Sequence, residues 1–449
     1  MTPMRTARTT APAASHPATS LRPWQPRPGE WRAADAAHLL DRAGFGPEPG
    51  EAQRLADGTL DDALTALFEP PGHDPFYFEG IELLLGSGEL EPLAAWWIGL
   101  MVAGGDPLGE RIALMWHDHF ATSNDKVADP RLMHRQNELF RKHGLGDFRA
   151  LCHHVAKDPA MLVWLDGNEN VRGRPNENFA REVMELFVLG IGSYTETDIR
   201  EAARAFSGWG TRGRSFRFDP RKHDDGDKTV FGRTARFTPE GMLDWILAQP
   251  EAPRHIARRV LATFVTSNPK PALVDDAAAR LVAHDWNVGA LVRDVLRSEA
   301  FFDAASRNER IAGPVELVAR ATRRLGFDLA PRDLARAAAD MGQALFRPPS
   351  VKGWDGGEVW LNAGTWTARH NALLQGLTTL DDDGYHAAFA RPESIEHAAD
   401  LVLDGLLPGR EPSGLREALL AELDGQPDPT SALRLATGLV LVDPAYHLV

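Results

Sequence analysis

The sequence predicts a mainly α protein: one large multi-helix body with a small β-hairpin excursion near residues 211–237. Three observations carry that reading. Helix starts recur as Asp106-Pro107, Asp129-Pro130, Asp158-Pro159 and Thr238-Pro239, where an acceptor side chain precedes a proline suited to the first helical position. Residues 176–191 place Phe179, Ala180, Val183, Met184, Phe187 and Val188 at helical spacing, so this helix is apolar over most of its girth. Only residues 211–237 alternate and carry glycine in the manner of strands.

In chain order, residues 33–43 read as a short helix closed by Gly44 and Gly46-Pro47. Thr59, with Asp62 three residues on, caps a second that runs to Phe68 and stops at Pro70-Pro71. Residues 92–101 carry Trp96 and Trp97, and the helix opened by Asp106-Pro107 ends in His117-Asp118-His119-Phe120. Further helices follow over 130–142 and 147–157, then Asp158-Pro159 leads through Trp164 to Asp166. A polar loop, 167–175, enters the central helix, and Thr195 with Asp198 caps the next, which ends at Phe206. Helices resume at Thr238 and continue in pieces to 342. Residues 348–362 form a Gly/Trp/Pro loop, and a helix over 365–378 precedes three or four short, proline-punctuated helices. Residues 1–30, rich in Pro, Thr, Ala and Arg, read as a flexible tail. Residues 31–380 read as the core domain containing the site, with 381–449 as short helices packed on it.

The chain has 449 residues with 43% hydrophobic content, enough for a large core. A net charge of −14 argues against general nucleic-acid binding and against an anionic membrane surface. The lone cysteine, Cys152, excludes an internal disulfide and a Cys-based zinc site, and its neighbours suit a small buried hydrophobe. No stretch approaches the ~20 apolar residues of a membrane span. The N-terminus lacks the hydrophobic run of a secretory signal, so a cytoplasmic location is the default expectation.

Four constellations carry the chemistry. In the first, His117-Asp118-His119, imidazoles two apart lie roughly 200° apart on a helix, so both reach one metal only if the helix unwinds. The bland alternative is a pair of hydrogen-bonded structural histidines. The second is the polar stripe of the central helix: Glu177, Asn178, Arg181, Glu182 and Glu185. Buried charges are costly unless paired or bound to a cation. Glu182 and Glu185 at i, i+3 suit metal-binding carboxylates of helical bundles, while Arg181, Arg200 and Arg204 offer an ion-pair network instead. Third, His223 to Lys228 is an acidic turn that does not complete a calcium loop, with His223 as a ligand or proton carrier. The fourth, Lys352 to Asn362, sets Trp354 and Trp360 among glycines, which suits either a pocket wall for a sugar or another flat ligand, or plain loop packing. The signatures of acyl hydrolases, P-loop nucleotide enzymes, dinucleotide folds and zinc peptidases are absent.

Six motifs stand in one order: Met115-Trp-His-Asp-His-Phe120; Asp158-Pro-Ala-Met-Leu162 with Trp164-Leu-Asp166; Pro175-Asn-Glu-Asn-Phe-Ala-Arg-Glu182 with Met184-Glu-Leu-Phe187; Ala203-Arg-Ala-Phe206 with Gly208-Trp209; His223-Asp224; and Val351-Lys-Gly-Trp354. In these the chain resembles the bacterial family catalogued as domain of unknown function 1800, from His38 to Tyr446. The resemblance implies one folded unit and brings no catalytic residues with it. It also implies a sulfatase-like protein encoded nearby as a partner, and export in many members, which this N-terminus does not support.

Two functions follow as expectations. One is a metal-assisted hydrolase, in which His117, His119, Glu182 and Glu185 hold a divalent cation that activates water, and Asp118, Glu177 or His223 acts as acid or base. The other is a non-catalytic binding or assembly protein, with the stripe as a structural ion-pair network and the Trp-rich loops as a contact surface for a partner protein. Convergence of the imidazoles and carboxylates favours the first; guanidinium groups in that space favour the second.

Overall fold

Aspartate–proline pairs set the rhythm of the chain. In the computed structural model, which describes residues 19–449, Asp106, Asp129 and Asp158 each accept a backbone N–H from the first turn of the helix that the following proline opens. Thr59 and Thr195 form reciprocal capping boxes with Asp62 and Asp198. These devices start helices Leu60–Phe68, Pro107–His119, Pro130–His143, Pro159–Trp164 and Glu196–Phe206. The described residues hold 24 α-helices against two small two-stranded antiparallel sheets, so the fold is mainly α as expected.

The β excursion is two hairpins. Trp209–Arg212 pairs with Ser215–Phe218, and Lys228–Val230 pairs with Arg233–Ala235. The second is closed by Phe231 and Gly232, both at positive φ (49° and 73°), the geometry of a two-residue turn whose twist matches the strands. Trp209 and Val230 point into the core and anchor one hairpin each.

The central segment departs from the expected single α-helix. Asn178–Glu182 is α-helical, but Val183–Val188 winds as a π-helix, with Leu189 N–H on the Met184 carbonyl at 3.2 Å. Phe179, Ala180, Val183, Met184, Phe187 and Val188 are all buried, as their spacing predicts. The charged stripe is not. Glu177 and Arg181 keep about a third of their side-chain surface (35% and 33%) in water.

Within the N-terminal span read as a tail to residue 30, Leu21 and Trp24 touch the helical body while most of residues 22–30 are exposed. Leu21 is buried and its N–H donates to Asp276 at 2.8 Å, while the Trp24 ring lies 4.3 Å from that of Phe302. Residues 1–18 lie outside the described residues. Cys152 is buried, and burial pushes its thiol well above the ordinary value.

Buried ion pairs stitch distant parts of the chain. Asp41, in helix Ala33–Ala43, accepts two bonds from Arg324 at 2.8 Å and lies 3.6 Å from Arg410. Glu110 accepts from Trp97, His73 and Arg141 at 2.6–3.0 Å. Glu316 accepts two bonds from Arg310 at 2.6 Å, pairs with Arg111, and takes the Gly313 N–H at 2.8 Å. Each carboxylate is the acceptor that makes burial of its arginines tolerable.

Asp158 is only 3% exposed and accepts from Gln136 at 2.7 Å and from the Met161 N–H at 3.2 Å. Burial pushes its carboxyl from 3.8 up to about 6. The folded state therefore holds a proton that the unfolded chain has released, and stability falls as pH rises between those values. Denaturant titrations from pH 4 to pH 8 should show wild type losing roughly 2–3 kcal/mol relative to Asp158→Asn, the loss levelling off above about pH 7.

Candidate functional site

The 107–119 helix stays regular through its last turn, so His117 and His119 diverge as their spacing dictates. His117 is 2% exposed, and its Nε2 accepts the Phe346 N–H at 3.1 Å. Its ring packs edge-on against Trp97 and Trp354, and burial pushes its pKa down to about 3. The imidazole is neutral and its lone pair is already engaged.

His119 serves the π-helix. Its Nε2 lies 2.9 Å from the Phe187 carbonyl, and His255 Nε2 lies 2.7 Å from the Leu186 carbonyl. A carbonyl only accepts, so both imidazoles donate there and satisfy the last carbonyls of that segment. Burial, then the neighbouring His255 and Arg259, holds His119 well below its ordinary pKa. Gly190 ends the segment at φ +88°, where a Cβ would stand 3.1 Å from His255 Nδ1.

The structure does not bring the four proposed metal ligands together. Glu182 is half-buried, and burial, then the adjacent Glu185, pushes its carboxyl up to about 7. Glu185 accepts the Tyr194 hydroxyl at 2.7 Å. Among the described residues no three His, Cys, Asp or Glu side chains are grouped to hold a metal ion. The expected His117/His119/Glu182/Glu185 set is thus not seen grouped among the described residues. Each imidazole is engaged by a backbone group, and Glu185 by the Tyr194 hydroxyl.

Guanidinium groups answer the stripe instead. Arg181 bonds Glu177 at 3.1 Å and Glu196 at 2.8 Å, and Arg200 lies 3.8 Å from Glu177. Arg204, expected in this network, pairs with Asp224 and Glu201. His223 Nδ1 lies 3.0 Å from the Ser207 carbonyl and its ring packs against Phe218.

Asp118 does meet the fourth constellation. Its Oδ1 accepts the Trp354 N–H at 2.8 Å, across 236 residues of sequence. Its Oδ2 accepts Arg259 Nη2 at 2.7 Å, and the same nitrogen donates to the Met115 carbonyl at 2.9 Å. Gly353 comes so close that a Cβ would stand 2.3 Å from Asp118 Oδ1, at φ +86°. One carboxylate therefore clamps the Trp-rich loop onto the helix end.

The clamp forms one wall of a cleft of about 440 Å³, within the size range of small-molecule sites, lined among others by Asp118, Arg259, Arg310, Glu316, Trp354 and Trp360. Trp360 is bracketed by three glycines: Cβ atoms at Gly313, Gly342 and Gly356 would stand 3.2, 3.7 and 3.8 Å from its ring. The Arg111–Glu316–Arg310 triad lines the inner side, in helices Pro107–His119 and Pro314–Leu325 and the loop between 307 and 313. Glu309 accepts the Ser267 N–H and hydroxyl at 2.9 and 2.5 Å. Burial opposes ionisation of Glu316, but Arg111 and Arg310 outweigh it and hold the carboxyl well below its ordinary value. Sequence reading missed Arg111, Arg259, Arg310 and Glu316. Gly313-Pro314 signals the helix start at Glu316, but nothing local to these residues reveals their partners.

A family model described as Protein of unknown function (DUF1800) matches residues 38–448. The chain belongs to the DUF1800 family. Comparison with curated proteins and with solved structures finds no match. The match to the DUF1800 model spans the Asp118 clamp, the Trp loop and the π-helix alike, so the cleft is built wholly from the DUF1800 region.

Two substitutions test this construction. Gly353→Ala should shift the loop, change the near-UV circular dichroism of Trp354 and cost roughly 1–3 kcal/mol, because an L-residue is strained at that φ and meets Asp118. His119→Ala should cost about 1–3 kcal/mol in urea titrations by leaving the buried Phe187 carbonyl without a donor.

Proposed function

We propose that this DUF1800 protein is a non-catalytic binding protein, with the cleft between the Asp118 clamp and Trp360 as its ligand site. The ligand class is a small polyhydroxylated molecule, of which a sugar is the plainest case. The observation that carries the reading is the convergence of Asp118, Arg259 and the Trp354–Trp360 loop on one concave space.

Three features support it. The volume suits a molecule of one or two rings. Trp360, set among glycines, offers an aromatic face that backbone can approach closely. Guanidinium donors and carboxylate acceptors both line the cleft, matching hydroxyls that both donate and accept. The cleft acids Glu309 and Glu316 are both held below their ordinary values, which suits hydrogen-bond acceptors better than proton donors. The metal-assisted hydrolase reading draws no support from a ligand cluster among the described residues. The stripe, with Arg181 between Glu177 and Glu196, supports the structural-network reading.

Tryptophan fluorescence and isothermal titration against neutral and acidic hexoses, pentoses and disaccharides test this. Saturable binding to wild type is expected, with Trp360→Ala weakening it by at least about tenfold, or roughly 1.4 kcal/mol. No binding by any member at millimolar concentration would overturn the proposal.

A further inference from the structure

Residues 55–110 carry eleven aspartates and glutamates and no lysine or arginine. Within that block the chain makes a short excursion, the turn Pro75–Tyr77 and the helix Ile81–Gly86. Its inner residues Tyr77, Phe78, Ile81 and Leu85 pack on the core, and Trp96 Nε1 donates to the Tyr77 carbonyl at 2.8 Å. Phe76 and Leu83 are left outside, 74% and 84% exposed, among the exposed acids Asp74, Glu79, Glu82 and Glu89. Large exposed apolar side chains rimmed by polar ones mark contact surfaces.

The first hairpin and the residues after it carry the opposite charge. Arg212, Arg214, Arg217, Arg221 and Lys222 are exposed there against the single acid Asp219, and Phe218 is 41% exposed. Arg214 pairs with Asp129, and among the described residues no other of these five cations enters an ion pair.

The two surfaces are neighbours. Asp129, the N-cap of helix Pro130–His143, holds Arg214, and Arg135 donates to the Arg214 carbonyl at 3.0 Å. Arg131, in the first turn of the same helix, holds Glu82 of the excursion at 2.6 Å. An acidic surface and a basic surface, each with exposed apolar side chains, thus meet at one helix start.

We propose that this face is self-complementary and pairs two copies of the chain about a two-fold axis beside the start of helix Pro130–His143, the excursion of each copy against the hairpin of the other. In such an isologous contact every pairing occurs twice. Exposed ion pairs are each worth little. Burial of Phe76, Leu83 and Phe218 therefore supplies the affinity, and the charges fix the register. The net charge of −14 and the adjoining acids oppose a nucleic acid at the hairpin, and the same acids oppose an anionic membrane at Phe76 and Leu83. The pairing uses none of the residues that line the cleft.

Sedimentation equilibrium and light scattering on the full chain test this. Wild type should be a dimer by about 100 μM at low salt and should dissociate as salt rises. Phe76→Ser with Leu83→Ser should weaken pairing at least about tenfold. Glu79→Arg with Glu89→Arg should give a monomer, as should Arg212→Glu with Arg217→Glu, because like charges then face each other. An equimolar mixture of these two charge-reversed proteins should dimerise again, since each altered surface meets its opposite. All of these side chains are exposed, and near-UV circular dichroism checks that each variant is folded. A monomeric wild type would overturn the proposal, as would a dimer that neither charge reversal weakens. Open-ended oligomers would overturn the two-fold arrangement, and a mixture that stays monomeric would overturn the pairing of excursion with hairpin. A monomer that instead binds an arginine-rich peptide would assign the excursion to a different basic partner and overturn the pairing of copies.

Discussion

A single carboxylate, that of Asp118, ties together three stretches of chain that are remote in sequence. It receives the Trp354 N–H on one oxygen and Arg259 on the other, at the C-terminal end of the 107–119 helix. Bonds to an ionised acceptor in a partly enclosed place are strong and directional. The loop therefore cannot slide without giving up both an amide and a guanidinium contact. Gly353 permits the approach, because no side chain fits between loop and helix there. The concave shape of the cleft, and the placing of Trp354 and Trp360, follow from that one clamp.

Around it the chain manages charge in an unexpected way. Its net charge is −14, yet the buried ionisable residues are dominated by arginine: Arg42, Arg111, Arg320, Arg323, Arg324, Arg369 and Arg410. Acidic residues are spent on the surface and on helix caps. Of those that are buried, Asp41, Glu110 and Glu316 serve as hubs, Asp35 pairs with Arg307, and Asp158 caps a helix. Whole-chain charge therefore says little about the charge buried inside, where arginines outnumber acids among the described residues.

The π-helix is the other constraint. Winding Val183–Val188 this way keeps four apolar side chains buried and leaves carbonyls at its end that need outside donors. His119 and His255 supply them. A histidine beside a row of carboxylates resembles a metal site in sequence. In three dimensions His119 bonds the backbone of that segment, while Glu185 accepts from Tyr194.

The sequence by itself determined where the helices begin, because Asp-Pro and Thr caps act through bonds only two or three residues long. It determined the mainly α class and the buried face of the 176–191 segment, because helical periodicity is a local property. It also singled out Asp118 and the Trp354–Trp360 loop as chemistry-bearing residues. Only the tertiary structure decided what they meet. The Asp118–Trp354 bond and the Arg111–Glu316–Arg310 triad join residues with no periodic or local relation. The divergence of His117 from His119 was foreseeable from helix geometry, but their separate backbone partners, Phe346 and Phe187, were not. Long-range pairing depends on how whole helices pack against one another, and no short stretch of residues encodes it.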